Sequence, residues 1–331
     1  MLLIGVDIGG TKCAVNLGEV SGDEVKIIYK CNIKETKKYL PQEMMDVLVK
    51  DILFCKGLTN GDEIQGIGIS CGGPLDGKRG IIMSPPNLPG WDNIHITKYF
   101  KEKTGLKSWL CNDANACALA EWKLGAGRGT SNMIFMTFGT GLGAGLILDN
   151  RLYSGTNDMA GELGHIRICN FGPVGYGKMG SFEGFCSGGG IAQLAKSIVL
   201  EELQKGNKPD LCPDISEIQD LTAEKVGVLA KKGDELAKKI LKIVGINLGK
   251  GLAILIDLLN PERIVIGSIF VRCYEEIWPW ANKVIEEESL LISRKVCQVV
   301  PSELSESVGD VAALVIAEYY SKLEGENESK N

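Results

Sequence analysis

Short apolar runs separated by glycine turns open the chain. Residues 2–8 read as a strand, Gly9-Gly10 as a turn and 12–18 as a second strand. After Ser21-Gly22-Asp23 a third strand covers 24–31, so the opening is predicted to be antiparallel. Beyond Pro41 the apolar positions Met44, Val47, Leu48, Ile52 and Leu53 change to helical spacing, and a strand follows at 64–70. Turn residues then fill the stretch from Cys71-Gly72-Gly73-Pro74 to Trp91. Residues 114–123 are strong helix formers with Asn112 or Asp113 at the N-cap.

The second half repeats the opening theme. The apolar run Met133-Ile134-Phe135-Met136 leads into a glycine-rich turn, 146–148 reads as a strand, and Asp149-Asn150 marks a hairpin into Arg151-Leu152-Tyr153. Helical periodicity covers 189–203 and 222–259, the latter broken near Gly233 and ended by Asn260-Pro261. A short strand, Arg263–Ile266, closes on Gly267; 304–321 reads as a last helix, and residues 324–331 as a polar tail. The two strand–glycine turn–strand units stand about 130 residues apart and suggest a duplicated core.

At 331 residues the chain exceeds what one core usually supports, so two domains with a cleft between them are expected. The division expected is a small α/β domain of residues 1–115 plus about 304–325, a large α/β domain of 116–303, and a frayed tail of 326–331.

The two turns carry the chemistry. The first is Val6-Asp7-Ile8-Gly9-Gly10-Thr11-Lys12; the second is Phe138-Gly139-Thr140-Gly141-Leu142-Gly143-Ala144-Gly145. Backbone N–H groups approach phosphate oxygens closely only where side chains are absent, and Thr11 and Thr140 add hydroxyl donors. One such turn alone fits an ordinary hairpin; a pair closed by threonine points to phosphate. Asp7 and the Asp113 of Cys111-Asn112-Asp113-Ala114-Asn115-Ala116 are carboxylates suited to a metal or a proton.

Charge and cysteines narrow the class. A net charge of −6, with no Lys/Arg block, argues against a nucleic-acid surface. Eleven cysteines, an odd number with no Cys-x-x-Cys spacing, read as reduced thiols in a cytoplasmic protein. No cationic and apolar leader opens the chain, and no apolar run reaches the ~20 residues that span a bilayer.

Together these segments resemble the ROK family of sugar kinases, within the actin-like ATPase superfamily (a two-domain, ribonuclease H-like α/β fold), over nearly the whole chain. Asp7-Ile8-Gly9-Gly10-Thr11-Lys12 and Gly139-Thr140-Gly141-Leu142-Gly143 resemble its two phosphate motifs, Asn112-Asp113-Ala114-Asn115 its catalytic segment, and Gly161-Glu162-Leu163-Gly164-His165 its sugar-contact motif. The resemblance implies an ATP-dependent kinase acting on a hexose or N-acetylhexosamine. Asp113 would be the general base, Asn112 a sugar hydroxyl ligand, and Glu162, His165 and Glu183 further sugar contacts. Gly73 and Asn87 would lie in the loop over the sugar, and Asp7 near Mg²⁺ carried with ATP. Asn260-Pro261-Glu262-Arg263-Ile264-Val265-Ile266-Gly267 resembles the adenosine-side motif, with Ser268 where the family has a second glycine. A homodimer is implied as well.

One departure is specific. Many members hold structural zinc with the histidine and three cysteines, and here Val174, Tyr176 and Ser181 stand at the cysteine positions. None of them replaces a thiolate, so no structural zinc is expected, and the loop 169–180 should be ordered by packing through Phe171, Pro173 and Tyr176.

The same residues admit two rival readings. Gly139-x-Gly141-x-x-Ala144 formally fits a dinucleotide fingerprint, but that motif must open a helix, whereas a strand is expected after it. A non-catalytic sugar sensor is the other; the repressors of the family carry a DNA-binding segment ahead of the first phosphate motif, and none is expected before Asp7.

Overall fold

The computed structural model describes residues 1–59, 61–304 and 308–328. The chain forms two compact units: residues 1–129 and 145–160 with the C-terminal helix, and residues 130–144 with 161–304.

The first unit is built on a six-stranded sheet. Leu2–Ile8, Lys12–Ser21 and Glu24–Lys30 pair antiparallel, as the turns predict. Leu2–Ile8 also pairs parallel with Ile64–Cys71, which pairs parallel with Ser108–Asn112; the short Lys34–Glu35 adds to the edge of Lys12–Ser21. Alternation along Leu2–Ile8 sends Ile4, Val6 and Ile8 into one core with Met44, Leu48 and Ile52 of the helix Pro41–Gly57 and Phe100 of the helix Ile96–Thr104.

The opposite face is covered by the C-terminal helix Val308–Glu328, with Leu3, Val20, Leu314 and Ala317 packed together. Three neighbouring strands give that helix a groove of glycine. A methyl on Gly68 would stand 1.9 Å from the Ala313 carbonyl oxygen, one on Gly18 2.4 Å from Leu314, and one on Gly5 2.9 Å from Ala313. Gly68→Ala is therefore expected to destabilise the fold by about 3 kcal/mol, because backbone rather than a flexible side chain must give way. Urea unfolding of the two proteins measures it.

The helix Asp113–Leu124 packs on the C-terminal helix, and Lys123 reaches Glu318 at 2.7 Å with both side chains largely buried. It thus belongs to the first unit, where the sequence expectation divided the chain at residue 115. The C-terminal helix continues to Glu328, beyond the expected 321. Glu324, placed in the polar tail, accepts from Trp109 Nε1 at 3.1 Å and pairs with Lys107 at 2.5 Å. Residues 305–307 and 329–331 of the expected helix and tail lie outside the described residues.

In the second unit Met133–Phe138, Arg263–Ile266 and Gln298–Pro301 pair in parallel. The helical stretch expected at 222–259 is two helices, Ala223–Lys231 and Glu235–Leu259, separated by Gly233 at φ 96° and restarted by Asp234, which accepts from Ala237 N at 2.7 Å. Gly245 and Gly249 let the long helix lie against Tyr274–Glu288, since methyl groups there would meet the Ile277 and Ala281 carbonyls at 2.6 and 2.5 Å. Each glycine turn therefore sits in the same device: strand, glycine turn, strand, with a parallel neighbour on the first strand.

All eleven cysteines are free, and the Sγ atoms of Cys31 and Cys55 touch at 3.6 Å inside the first core. Among the described residues no helix is long and apolar enough to cross a membrane.

Candidate active site

Each unit carries one set of the candidate residues. In the first unit they stand at the C-terminal ends of parallel strands, where open α/β sheets bind ligands. Asp7 lies opposite Ser70, and Asn112 opposite Cys71, so strand register alone brings Asp7 and the Asn112-Asp113 pair to one edge.

Asn112 caps the helix Asp113–Leu124, its Oδ1 accepting from Ala114 N at 2.9 Å; Asp113 Oδ1 accepts from the same N–H at 2.8 Å. That shared donation fixes the Asp113 carboxylate and leaves Oδ2 free of it. Asp113 reaches solvent yet has protein on most sides, and this desolvation pushes its proton affinity up, against the donations of Ala114 N and its own N–H. Asp7 is raised from 3.8 to about 6, first by burial and next by the negative charge of Asp113; Lys12 and the Ser70 hydroxyl act the other way. The two carboxyls therefore repel one another, and their oxygens suit a hard divalent cation such as Mg²⁺.

The first glycine turn is tight, with Gly9 N donating to Lys12 O at 3.0 Å, while Thr36 holds it from behind through Oγ1 to Gly9 O at 2.6 Å and N to Thr11 O at 3.0 Å. A methyl on Gly10 would lie 2.5 Å from the Asn87 carbonyl, and one on Gly72 3.5 Å from Asn87 Oδ1 and 3.7 Å from Asp113 Oδ2. Gly73 faces Asn112 Nδ2 in the same way, at 3.2 Å. Asn87, Asn112 and Asp113 thus converge on Gly72-Gly73, where the absence of side chains lets their polar atoms approach the backbone closely. Gly72, Ser70 and Thr36 escaped the sequence reading, because their part depends on register and close approach.

In the second unit Glu183 is the organiser. Its Oε2 accepts from Leu142 N at 3.1 Å, and a methyl on Gly141 would stand 2.9 Å from that oxygen, so the carboxylate abuts the second glycine turn. Gly139 N donates to Gly141 O at 3.1 Å and closes this turn, leaving Thr140 exposed. Glu162 and His165 flank the short turn Leu163–His165, both exposed, with His165 N donating to Glu162 O at 3.2 Å.

Behind the turn, Gly188 N donates to Gly139 O at 2.8 Å, which places the first residues of the helix Gly188–Gln204, capped by Ser187, beside Gly139-Thr140. The Ser-Gly-Gly-Gly run was a usable signal for this start. Gly267 donates to Met136 O at 3.0 Å next to the same turn. Ser268 keeps the glycine-favoured φ of 56°, its Oγ accepting from Arg272 Nη2 at 3.1 Å.

The loop 169–180 is ordered differently from expectation. Phe171 and Tyr176 are exposed, at 80% and 74%, and Pro173 is buried. Order comes instead from backbone bonds: Ile168 and Cys169 donate to Gly180 O, Gly180 to Pro173 O, and Phe182 to Ile166 O. Ser181 is fully buried, accepting from Gly184 N and donating to Gly175 O, and so delivers Glu183 on the first turn of Phe182–Phe185.

Comparisons with known proteins identify the family and the fold. The family model described as "ROK family" matches residues 3–318. The chain is 30% identical over 286 residues to a glucokinase of Thermotoga maritima, covering 86% of this chain and 87% of the relative. It superposes on a ROK family glucokinase of Streptomyces griseus solved with glucose and AMPPNP (TM-score 0.71, 26% identity, 96% and 99% of the two chains). It also superposes on a ROK family transcriptional regulator, a homologue of the E. coli MLC protein (TM-score 0.82, 25% identity, 97% and 78%). The fold is that of the actin-like ROK kinases, sugar kinase activity is what the similar glucokinases support, and the chain belongs to the ROK family.

Proposed function

We propose that the protein transfers the γ-phosphoryl group of ATP to a hydroxyl of a hexose or N-acetylhexosamine. The observation that carries this reading is the Asp113 carboxylate, fixed through one oxygen by the cap of its own helix and left with the other beside Asn87, Asn112 and bare Gly72 backbone. Asn112 and Asn87 would hold sugar hydroxyls, and Asp113 would accept the proton of the attacking one, a role suited to a carboxyl of raised proton affinity. Glu162, His165 and Glu183 would supply the acceptors a polyhydroxylated ring needs.

The glycine turns would hold phosphate through N–H groups of Gly9, Gly10, Thr11, Gly139, Thr140 and Gly141, with Lys12 adding charge and Gly267 lying on the adenosine side. Asp7 would hold the Mg²⁺ that accompanies ATP, and the charge it would supply is neutralisation of the phosphates. The remaining work belongs to the chain: orienting the hydroxyl, taking its proton and excluding water.

Regulators also occur among the similar proteins, so a silent sugar sensor is the alternative. Sugar-dependent ADP release over a panel of hexoses and N-acetylhexosamines separates the two: a kinase turns over with at least one of them, a sensor with none. Structural zinc has no part in this reading. Activity should return fully after prolonged chelation once Mg²⁺ alone is restored, and recovery only on adding zinc would contradict it.

A further inference from the structure

The strands Val174–Gly175 and Lys178–Met179 pair as a hairpin whose two-residue tip is Tyr176-Gly177. Both tip residues have positive φ, 44° and 75°, the pattern of a tight hairpin turn that favours Asn-Gly. A bulky aromatic residue at the first of these positions is an outlier that local chemistry does not explain. The surroundings hold it there. Gln193 clamps Val174 through both backbone groups, at 3.0 and 2.9 Å, Lys178 Nζ donates to His165 O at 2.7 Å, and Ser181 Oγ donates to Gly175 O at 3.3 Å.

The strained ring is not used to fill a core. It is 74% exposed and stands against His165, ring centroids 6.3 Å apart and planes at 77°. An imidazole and a phenol at nearly a right angle form a corner: one wall bonds hydroxyls, the other offers an aromatic face to C–H groups. Val174 and Met179, partners across the hairpin, are themselves exposed at 43% and 45%. Strain held at an exposed aromatic residue beside a ligand-binding side chain is the signature of a contact residue.

We propose that Tyr176 is a specificity-determining contact of the sugar site, its ring packing against the C–H face of the pyranose whose hydroxyls His165 binds. The inference rests on the sugar kinase reading of His165. A stacked aromatic face discriminates sugars by which ring face is free of axial hydroxyls, so its loss acts on sugar affinity and selectivity and leaves phosphoryl transfer alone.

Tyr176→Asn tests it, because asparagine suits the turn better than tyrosine. The variant should melt at or above the wild-type temperature, while KM for the preferred sugar rises about three- to tenfold and KM for ATP and kcat stay within about twofold. Tyr176→Phe, which keeps the ring, should match wild type in KM. An unchanged sugar KM in the asparagine variant of an active kinase overturns the Tyr176 proposal and leaves the kinase reading standing. A wild-type protein that neither binds nor phosphorylates any sugar of the panel overturns both, and a lowered melting temperature with KM, kcat and selectivity unchanged assigns Tyr176 to the fold alone.

Discussion

Asp113→Asn is expected to lower kcat by about 10²–10⁴-fold while sugar affinity stays within about threefold of wild type. The amide keeps the shape of the side chain and can still accept from Ala114 N through its oxygen, so the helix start and the Gly72–Asn87 surroundings persist. What is lost is an oxygen able to take a proton at the moment the hydroxyl attacks. The expected signature is a fall in kcat with little change in KM, measured by ADP release and checked by sugar titration in calorimetry. A variant that phosphorylates its best sugar at near wild-type rate would remove Asp113 from the mechanism.

Asp7→Asn should show two opposite effects, a loss of activity of at least about a hundredfold and a gain in stability. In the folded protein the Asp7 carboxyl titrates near 6 rather than 3.8, since burial and the Asp113 charge disfavour its ionised form. A raised carboxyl pKa means the ionised group destabilises the fold once the pH exceeds the folded value. The stability Asp7 contributes is complete below about 4 and is lost as the pH rises through about 6. In Mg²⁺-free buffer the asparagine variant is therefore expected to be more stable than wild type at pH 7–8, by about 1–2 kcal/mol, and to lose that advantage below about pH 4. Denaturant unfolding at several pH values measures it; a variant less stable than wild type at pH 8 would contradict the assignment. The same titration predicts an acid limb in wild-type kcat/KM near pH 6, where a protonated Asp7 no longer attracts the cation.

Local chemistry made the glycine turns and the Asn112 cap legible in the sequence, because turn and cap geometry are encoded within a few residues. The hairpin at Asp149-Asn150, both at positive φ, was legible for the same reason, and the strand Leu142–Leu148 that follows the second turn removes the dinucleotide fingerprint. The parallel strand Ser108–Asn112 was not read, since five residues ending in a polar cap carry no period of their own. Gly5, Gly18 and Gly68 look like weak points of strands until the C-terminal helix is laid across them. The tie of Glu183 to Leu142 N spans 41 residues and is set by the buried Ser181 cap, which no spacing announces. In the sequence Tyr176 stands out only as a residue that is not a thiolate; its exposure beside His165 is a property of the folded hairpin.

The central claim is that phosphate leaves ATP for a sugar hydroxyl under the action of Asp113. Its most direct test is to quantify sugar phosphate and ADP together, by mass spectrometry and a coupled assay, for wild type and Asp113→Asn with Mg²⁺-ATP and the best sugar of the panel. The account predicts one sugar phosphate per ADP in the wild type and almost none of either in the variant. ADP formed without sugar phosphate, or equal product from both proteins, would contradict it.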